Sequence, residues 1–419
     1  MADQRRPGWR GRAVAVAGIV LVALNLRVVV AAVSPILDAV RVDVALTDAQ
    51  AGLLGSLPVL AFALSGSLAP LVARRFGMEP TIAAAMALSA VGEVLRSSTS
   101  GSTTAFLAWT VVALLGMGIG NVLLPPLVKR YFPDHIPLVT LAYTVAMSFS
   151  TALPPLLAVP AAERYGWRWA LGAWAIIGVA AVLPWAVIIV RSSVVRAQLR
   201  AVLGRAPQDT AALAGRHRGG GRVWRSSLAR GMAVLFGLNS LNSYVVFAWL
   251  PQLYLDAGLA PAEAGQQLAL YAIVGLPAAL VMPPLAARLR NPYFLVVVCV
   301  TAAGAGYAGM AFAPAATPAL WTLLAGLGPA TFPLLLTLVG LRSRTSAGAM
   351  ALSGFMQGVG YVLAAAGPIV VGLLYGGGAG WGVIMVFLAV TLAGMAVAGV
   401  WACRPVLVED TWHRGASLG

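Results

Sequence analysis

The sequence predicts an all-α membrane protein in which twelve transmembrane helices are arranged as two six-helix halves. Three observations predict it: the composition, the number of long apolar runs, and a repeat at an offset of 213 to 214 residues. The chain has 419 residues, of which 60% are hydrophobic and 10% charged. An ordinary soluble domain carries about 25% charged residues and under about 50% apolar ones. One helical crossing of a bilayer takes about 20 residues, so twelve take about 240 and leave short connections.

Taken in order, the apolar runs lie at 13–37, 49–72, 80–97, 103–126, 136–160 and 167–190, then at 229–254, 262–287, 293–313, 317–341, 346–375 and 380–403. The first follows Arg5, Arg6, Arg10 and Arg12, as a secretory leader would. A leader's apolar stretch spans only about 7 to 15 residues, so this longer run reads as a permanent first helix. Between the two sets, Arg191–Arg230 holds nine arginines, one aspartate and Gly219-Gly220-Gly221, the composition of a linker. The expected organisation is a cytoplasmic N-terminus over 1–12, a six-helix half over 13–190, a basic cytoplasmic linker over 191–228, a second half over 229–403 and a cytoplasmic tail over 404–419.

The 28 basic and 13 acidic residues give a net charge of +15. With both termini cytoplasmic, 23 basic residues fall on that side, while Arg41, Arg96, Arg164 and Arg168 fall outside. This is a positive-inside distribution. It accounts for the charge by topology and contact with anionic lipid, with no nucleic acid as partner. The expected location is the cell membrane, a bacterial inner membrane, as a multi-pass protein and a monomer.

The halves repeat one another. Leu46-Thr-Asp-Ala-Gln-Ala-Gly52 recurs as Leu259-Ala-Pro-Ala-Glu-Ala-Gly265, each opening the second helix of its half. Pro70-Leu-Val-Ala-Arg74 answers Pro284-Leu-Ala-Ala-Arg288, and Gly166-Trp167 answers Gly380-Trp381. Such internal repeats are the signature of carriers whose substrate binds near the bilayer midplane between rocking halves.

Several chemistries are excluded. Cys299 and Cys403 lie far apart in apolar runs, too few for a disulfide framework or a four-ligand zinc site. His135, His217 and His413 all lie in polar connections or termini. The sole lysine, Lys129, lacks the Gly before it and the Ser or Thr after it that a phosphate-binding loop needs. No cofactor, metal or catalytic residue is expected, and the acid-base cluster of a membrane-embedded enzyme is not visible.

The motifs Asn25-Leu-Arg27, Gly120-Asn-Val-Leu-Leu-Pro125 with Val128-Lys-Arg130, Trp167-Arg-Trp169-Ala, Trp249-Leu-Pro251, Gly265, and Leu352-Ser-Gly354 with Gln357-Gly-Val-Gly-Tyr361 run nearly end to end. On them the chain resembles the major facilitator superfamily, and within it the cyanate and 2-nitroimidazole transporter family. The resemblance implies the twelve-helix fold of that superfamily and a proton-linked or otherwise ion-linked carrier of a small anion or small polar heterocycle. The superfamily's loop signature after the second helix survives in part as Gly66, Pro70, Arg74, Arg75 and Gly77, with Pro70 where an aspartate is usual.

The candidate substrate-binding residues are Arg27, Asn121, Tyr143, Asn239, Asn242, Trp249, Gln357 and Tyr361. Arg27 falls mid-span, where an ever-charged guanidinium costs at least about 2.5 kcal/mol, so it must face protein or water. It is either an anion ligand or a structural arginine bound to helix carbonyls. Asn25, about 200° away around a helix, is expected to pack elsewhere. Asn239, Asn242, Val246 and Trp249 form one stripe of the seventh helix, readable as pathway or as helix-to-helix bonding. Gln357 with Tyr361, and Tyr143 with Met147, share faces at i and i+4, and Asn121 ends the glycine-rich Gly116-Met-Gly-Ile-Gly. Asp38 and Glu93 are the candidates for proton coupling. Glu93 with Arg96 at i+3 also reads as an interfacial ion pair. Pro58, Pro154, Pro155, Pro277 and Pro283 are expected to interrupt helical bonding locally. The rival reading is an exporter of neutral hydrophobic drugs, with Arg27 structural and a pocket of Trp249, Tyr271 and Tyr361.

Overall fold

The computed structural model of the protein describes residues 9–193 and 223–411. Most of the basic linker, residues 194–222, lies outside them, as do His217, His413 and the side chain of Asp38. Among the described residues, twelve helical stretches long and apolar enough to cross a bilayer follow one another. In the first half they are Arg12–Val30, Leu57–Phe76, Met78–Ser97, Thr103–Tyr131, Ile136–Tyr165 and Trp167–Arg191. In the second they are Ser227–Asp256, Glu263–Arg288, Tyr293–Phe312, Pro318–Leu341, Ser346–Gly376 and Trp381–Ala402. They are called spans one to twelve below. Large apolar side chains stand outward on both halves, Ile176 at 73% exposure and Phe312 at 90%. In water such a surface would aggregate, whereas acyl chains are its natural solvent.

The repeated segment is a helix start. Thr47 Oγ1 accepts from the Gln50 amide at 3.3 Å while Gln50 Oε1 accepts from the Thr47 amide at 3.0 Å, a capping box at the head of the helix Asp48–Phe76. In the second half Ala260 has no hydroxyl, and only the return bond survives, from the Ala260 amide to Glu263 Oε2 at 3.2 Å.

Four spans are interrupted. The first runs as Trp9–Asn25, breaks at Leu26 and Arg27, and resumes as Val28–Val33, a turn over Ser34–Ile36 and a short helix Leu37–Asp43. The sixth breaks between Gly172 and Ala175, the eighth between Ile273 and Gly275, and the tenth between Gly326 and Thr331. Pro277 and Pro329 explain two of these. Lacking an N–H, they leave the Ile273 and Ala325 carbonyls without their usual partners at the break. Pro58, Pro154, Pro155 and Pro283 instead lie inside continuous helices, so the expected interruptions do not occur there. Transmembrane helices absorb proline when their neighbours hold the backbone.

The described residues divide into two compact units. One lies within Met1–Gly220 and takes in Thr345–Gly354; the other lies within Gly221–Arg344 and Phe355–Gly419. In the first, Ser353 Oγ donates to the Val122 carbonyl at 2.8 Å, and a side chain at Gly354 would strike Pro70. Pro70, at the position where an aspartate is usual, thus presents a small apolar surface to a glycine.

Each unit is drawn tight by small residues. A Cβ on Gly92 would lie 2.5 Å from the Ala113 amide nitrogen, joining spans three and four. At an offset of 214, a Cβ on Gly306 would lie 2.5 Å from the Ala325 nitrogen, joining spans nine and ten. Without a hydrophobic driving force between helices in lipid, such close backbone approach carries the packing.

Candidate functional site

In the first unit, glycines of span four set the stage. A side chain at Gly116 would collide with the Ala85 carbonyl of span three, one at Gly118 with Ser65 and Phe62 of span two, and one at Gly120 with Met86 and with Leu26 of span one. Three helices are thereby pressed around the interruption at Leu26 and Arg27. The Arg27 amide has left the helical ladder and donates to Ser150 Oγ of span five at 2.9 Å. The guanidinium carbon lies 5.3 Å from the centre of the Phe62 ring, a cation–π distance, and the side chain is half-buried. The sequence placed Arg27 within an unbroken helix; it stands instead at a break, its main chain fixed by one neighbour and its charge held over another. Asn121 and Tyr143 are buried in the same unit. The Tyr143 hydroxyl has no hydrogen-bond partner among the described residues.

Asn25, the last residue before the break, has partners other than those of Arg27. Its Nδ2 donates to Ser89 Oγ at 3.0 Å, and Ser89 Oγ in turn donates to Glu93 Oε1 at 2.9 Å. Here the sequence reading of Glu93 and Arg96 requires correction. They are not an interfacial pair but 0% and 1% exposed, and Arg96 is no outer-loop residue. Glu93 bonds to Ser89, whereas Arg96 Nη1 donates to the Val29 carbonyl of span one at 3.4 Å, with its guanidinium carbon 6.0 Å from the Phe106 ring. Once buried, an unbonded charge is costly, so each group takes a hydrogen bond inside the protein.

In the second unit the stripe on span seven separates into roles. Asn242 Nδ2 donates to the Leu238 carbonyl at 2.8 Å and Thr391 Oγ1 at 2.9 Å, while Oδ1 accepts from the Tyr307 hydroxyl at 3.1 Å. Its amide is engaged on both sides, which favours the helix-to-helix reading. Asn239 is buried with Oδ1 lacking a partner among the described residues. The Trp249 ring centre lies 5.2 Å from that of Tyr375, which lies 5.3 Å from that of Trp381, with the rings tilted against each other. Tyr361 sits edge-on to Phe236 at 5.0 Å, and Gln357, one turn earlier, is fully buried. Tyr271 lies edge-on to Phe247 at 5.4 Å. Cys299 and Cys403 are buried free thiols, and burial pushes the Cys403 thiol up to about 12.

Two carboxylate clasps escaped the sequence reading. In the first unit Asp43 Oδ2 accepts from Trp167 Nε1 at 2.9 Å and from Arg168 Nη1 at 2.6 Å, and these donors hold its carboxyl below the usual range. In the second, Asp256 Oδ2 accepts from Trp381 Nε1 at 2.9 Å and the Tyr375 hydroxyl at 2.8 Å, with Gln252 Nε2 on Oδ1 at 2.7 Å. Each clasp ties the end of a half's first helix to the start of its sixth. The signal was present: Asp43 and Asp256 lie three residues before the repeated heptapeptides, and Trp167 and Trp381 were already matched. Glu79 was also missed. It is 1% exposed and joins span three to the end of span four by accepting from Tyr131 at 2.7 Å and pairing with Arg130 at 3.2 Å.

Comparison with known proteins follows the same architecture. The family model described as Major Facilitator Superfamily matches residues 15–365. The 2-nitroimidazole transporter of Escherichia coli K12 is 37% identical over 399 residues, covering 94% of this chain and 96% of that protein. The cyanate transport protein CynX of the same organism is 28% identical over 406 residues, covering 95% and 99%. Among solved structures, the proton:xylose symporter XylE superposes with a TM-score of 0.72 at 14% identity, covering 96% of this chain and 98% of that one. The outward conformation of FucP does so at 0.66 and 15%, covering 93% and 98%. Twelve crossings, an internal repeat and a family match over most of the length converge: this chain belongs to the major facilitator superfamily of transporters.

Proposed function

We infer that the chain is a secondary active transporter that moves a small anionic or polar solute, cyanate-like or nitroimidazole-like, across the cell membrane by alternating access, with both termini cytoplasmic. The observation that carries this reading is Arg27, a permanent charge left half-buried at a helix interruption, its backbone anchored to Ser150 and its face supported by Phe62. A planar guanidinium offers parallel donors to a carboxylate, a cyanate or a nitro group. The names of the relatives agree with that chemistry. Asn121 and Tyr143 in the first unit, and Asn239, Gln357 and Tyr361 in the second, are the buried polar side chains proposed to complete solute recognition. Proton linkage falls to Glu93 or Asp38, since arginine stays charged at any working pH. The positive-inside count supports the orientation.

Uptake of labelled cyanate and 2-nitroimidazole into vesicles, with and without a pH gradient, tests this. Arg27→Gln and Arg27→Lys are expected to reach the membrane normally and to lose about tenfold or more of transport. That factor corresponds to one charge-assisted hydrogen bond of about 1.5 to 3 kcal/mol. Wild-type rates in both variants would overturn the reading in favour of a carrier of neutral hydrophobic drugs. That alternative draws on the aromatic cluster of Trp249, Tyr375 and Trp381 and on the apolar cleft that Val246, Trp249, Met310 and Met385 line in the second unit.

A further inference from the structure

The most unusual group outside the solute-binding set is the buried charge pair of span three. Glu93 and Arg96 are both fully enclosed, yet neither is fully satisfied. Glu93 Oε2 and Arg96 Nε have no hydrogen-bond partner among the described residues. Buried charges are tolerated when paired and bonded, so a half-bonded pair is costly and needs a reason.

The connections of the pair supply one. A serine hydroxyl has a single proton. With Asn25 Nδ2 donating to Ser89 Oγ, the Ser89 proton is free to point at Glu93 Oε1. Arg96 Nη1 reaches the Val29 carbonyl. Asn25 lies just before the interruption of span one and Val29 just after it, so span three grips both sides of the break that holds Arg27. The repeat provides an internal control. At an offset of 214 from Asn25, Glu93 and Arg96 stand Asn239, Tyr307 and Met310. There the third helix of the half is uncharged at both positions, and span seven runs unbroken from Ser227 to Asp256. The charge pair occurs in the half whose first helix is interrupted.

We propose that Glu93 and Arg96 form a proton-responsive brace on the broken first span, positioning Arg27 for the solute. This rests on the proton-linked reading above and deepens it. Arg96 has two acceptors within its reach in chemistry: the Val29 carbonyl, which it now holds, and the carboxylate of Glu93 one turn back on its own helix. When Glu93 is ionised it competes for the guanidinium and loosens the grip on Val29. When Glu93 takes a proton that competition ends, and the remaining buried cation must lean on the carbonyl. The brace therefore tightens as pH falls.

Other charged groups act elsewhere on the elements packed against span three. Lys129, Arg130 and Tyr131 of span four lie at the opposite end, with Glu79, about 21 Å along the helix from Glu93 at 1.5 Å per residue. Arg168 of span six is bound to Asp43, and Arg191 closes the other end of that span. Arg74 and Arg75 end span two, and Arg12 and Arg27 belong to span one. Arg96 is the charged group among the described residues that acts directly on Glu93.

Amide hydrogen exchange of the peptide covering Leu26–Val33, in full-length protein in lipid nanodiscs and corrected for intrinsic exchange chemistry, is the test. No solute is needed, so its failure is separate from a failure of the transport reading. In the wild type, protection is expected to rise in a single sigmoid as pH is lowered. Glu93→Gln should hold it at the acid level across the range, and Glu93→Asp should restore a titration. In vesicles, Glu93→Gln should lose the response of solute transport to a pH gradient. A wild type whose protection is independent of pH, or a Glu93→Gln protein that still titrates as the wild type does, overturns the proposal.

Discussion

The two six-helix units share a skeleton and differ in chemistry. In both, a glycine at equivalent positions, Gly92 and Gly306, lets the third helix of the half meet the fourth at backbone distance. In both, an aspartate at the end of the first helix takes the indole N–H of a tryptophan opening the sixth. Against that constancy, span three carries Glu93 and Arg96 where span nine carries Tyr307 and Met310. Span one breaks at Leu26 and Arg27 while span seven is continuous. What duplication preserved is the set of contacts that hold helices together, which no half can lose. What diverged is the polar interior, where among the described residues the first unit buries Glu79, Glu93 and Arg96 and the second buries neutral groups.

The comparison can be broken most forcefully at the glycines. Gly92→Val and Gly306→Val should each abolish accumulation of folded protein, because the new side chain meets backbone that cannot yield, whereas Gly380→Ala, with open space around it, should be silent. Size-exclusion profiles of detergent extracts check this, and tolerance of one valine but not the other would end the claim of a common skeleton. Smaller is the expected effect of Tyr307→Phe. It removes the neutral counterpart of the charge pair and leaves Asn242 Oδ1 without its donor, at a cost of about 0.6 kcal/mol, typical for a hydrogen bond between membrane helices. A melting-temperature shift as large as that of Glu93→Gln would show that the second unit's pair matters equally.

Smallest are the clasps. Asp43→Asn and Asp256→Asn should each lower the melting temperature slightly, since both lie at exposed helix ends where solvent screens them. For Asp43 the pH dependence has a definite sign. Its folded value is lowered, chiefly by the Trp167 N–H and then by Arg168, so its stabilisation is complete above the unfolded value near about 4 and is lost as pH falls through the lower folded value. Melting curves from neutral to strongly acidic pH should converge for wild type and Asp43→Asn at the acid end. Curves that stay parallel would remove the carboxylate from the clasp.

Much of the molecule was legible beforehand, and particular residues show why. The heptapeptide repeat marked helix starts because capping depends on residues three apart, as Thr47 with Gln50 demonstrates. Asn25 and Arg27 do part company, but through separate partners, Ser89 and Ser150, at a break that the helical angle did not foresee. Prolines were a mixed guide: Pro277 lies at the break in span eight, Pro154 and Pro155 sit in an unbroken helix, and the break at Arg27 contains none. There the Arg27 amide, outside the helical ladder, donates to Ser150, 123 residues away. Glu93 and Arg96 read as an interfacial pair from their spacing: Ser89 lies only one turn back from Glu93, but nothing local reveals that the Val29 carbonyl, 67 residues from Arg96, takes its guanidinium.

By itself, then, the sequence determined the number of crossings, the duplication and the helix starts, because hydropathy and capping are sums over neighbouring residues. Only the tertiary structure decided where the first span opens, what holds Arg27, and which carboxylates are buried. The partner of a polar group in lipid is whatever the packed helices bring within about 3 Å, and that is fixed by residues scores of positions away.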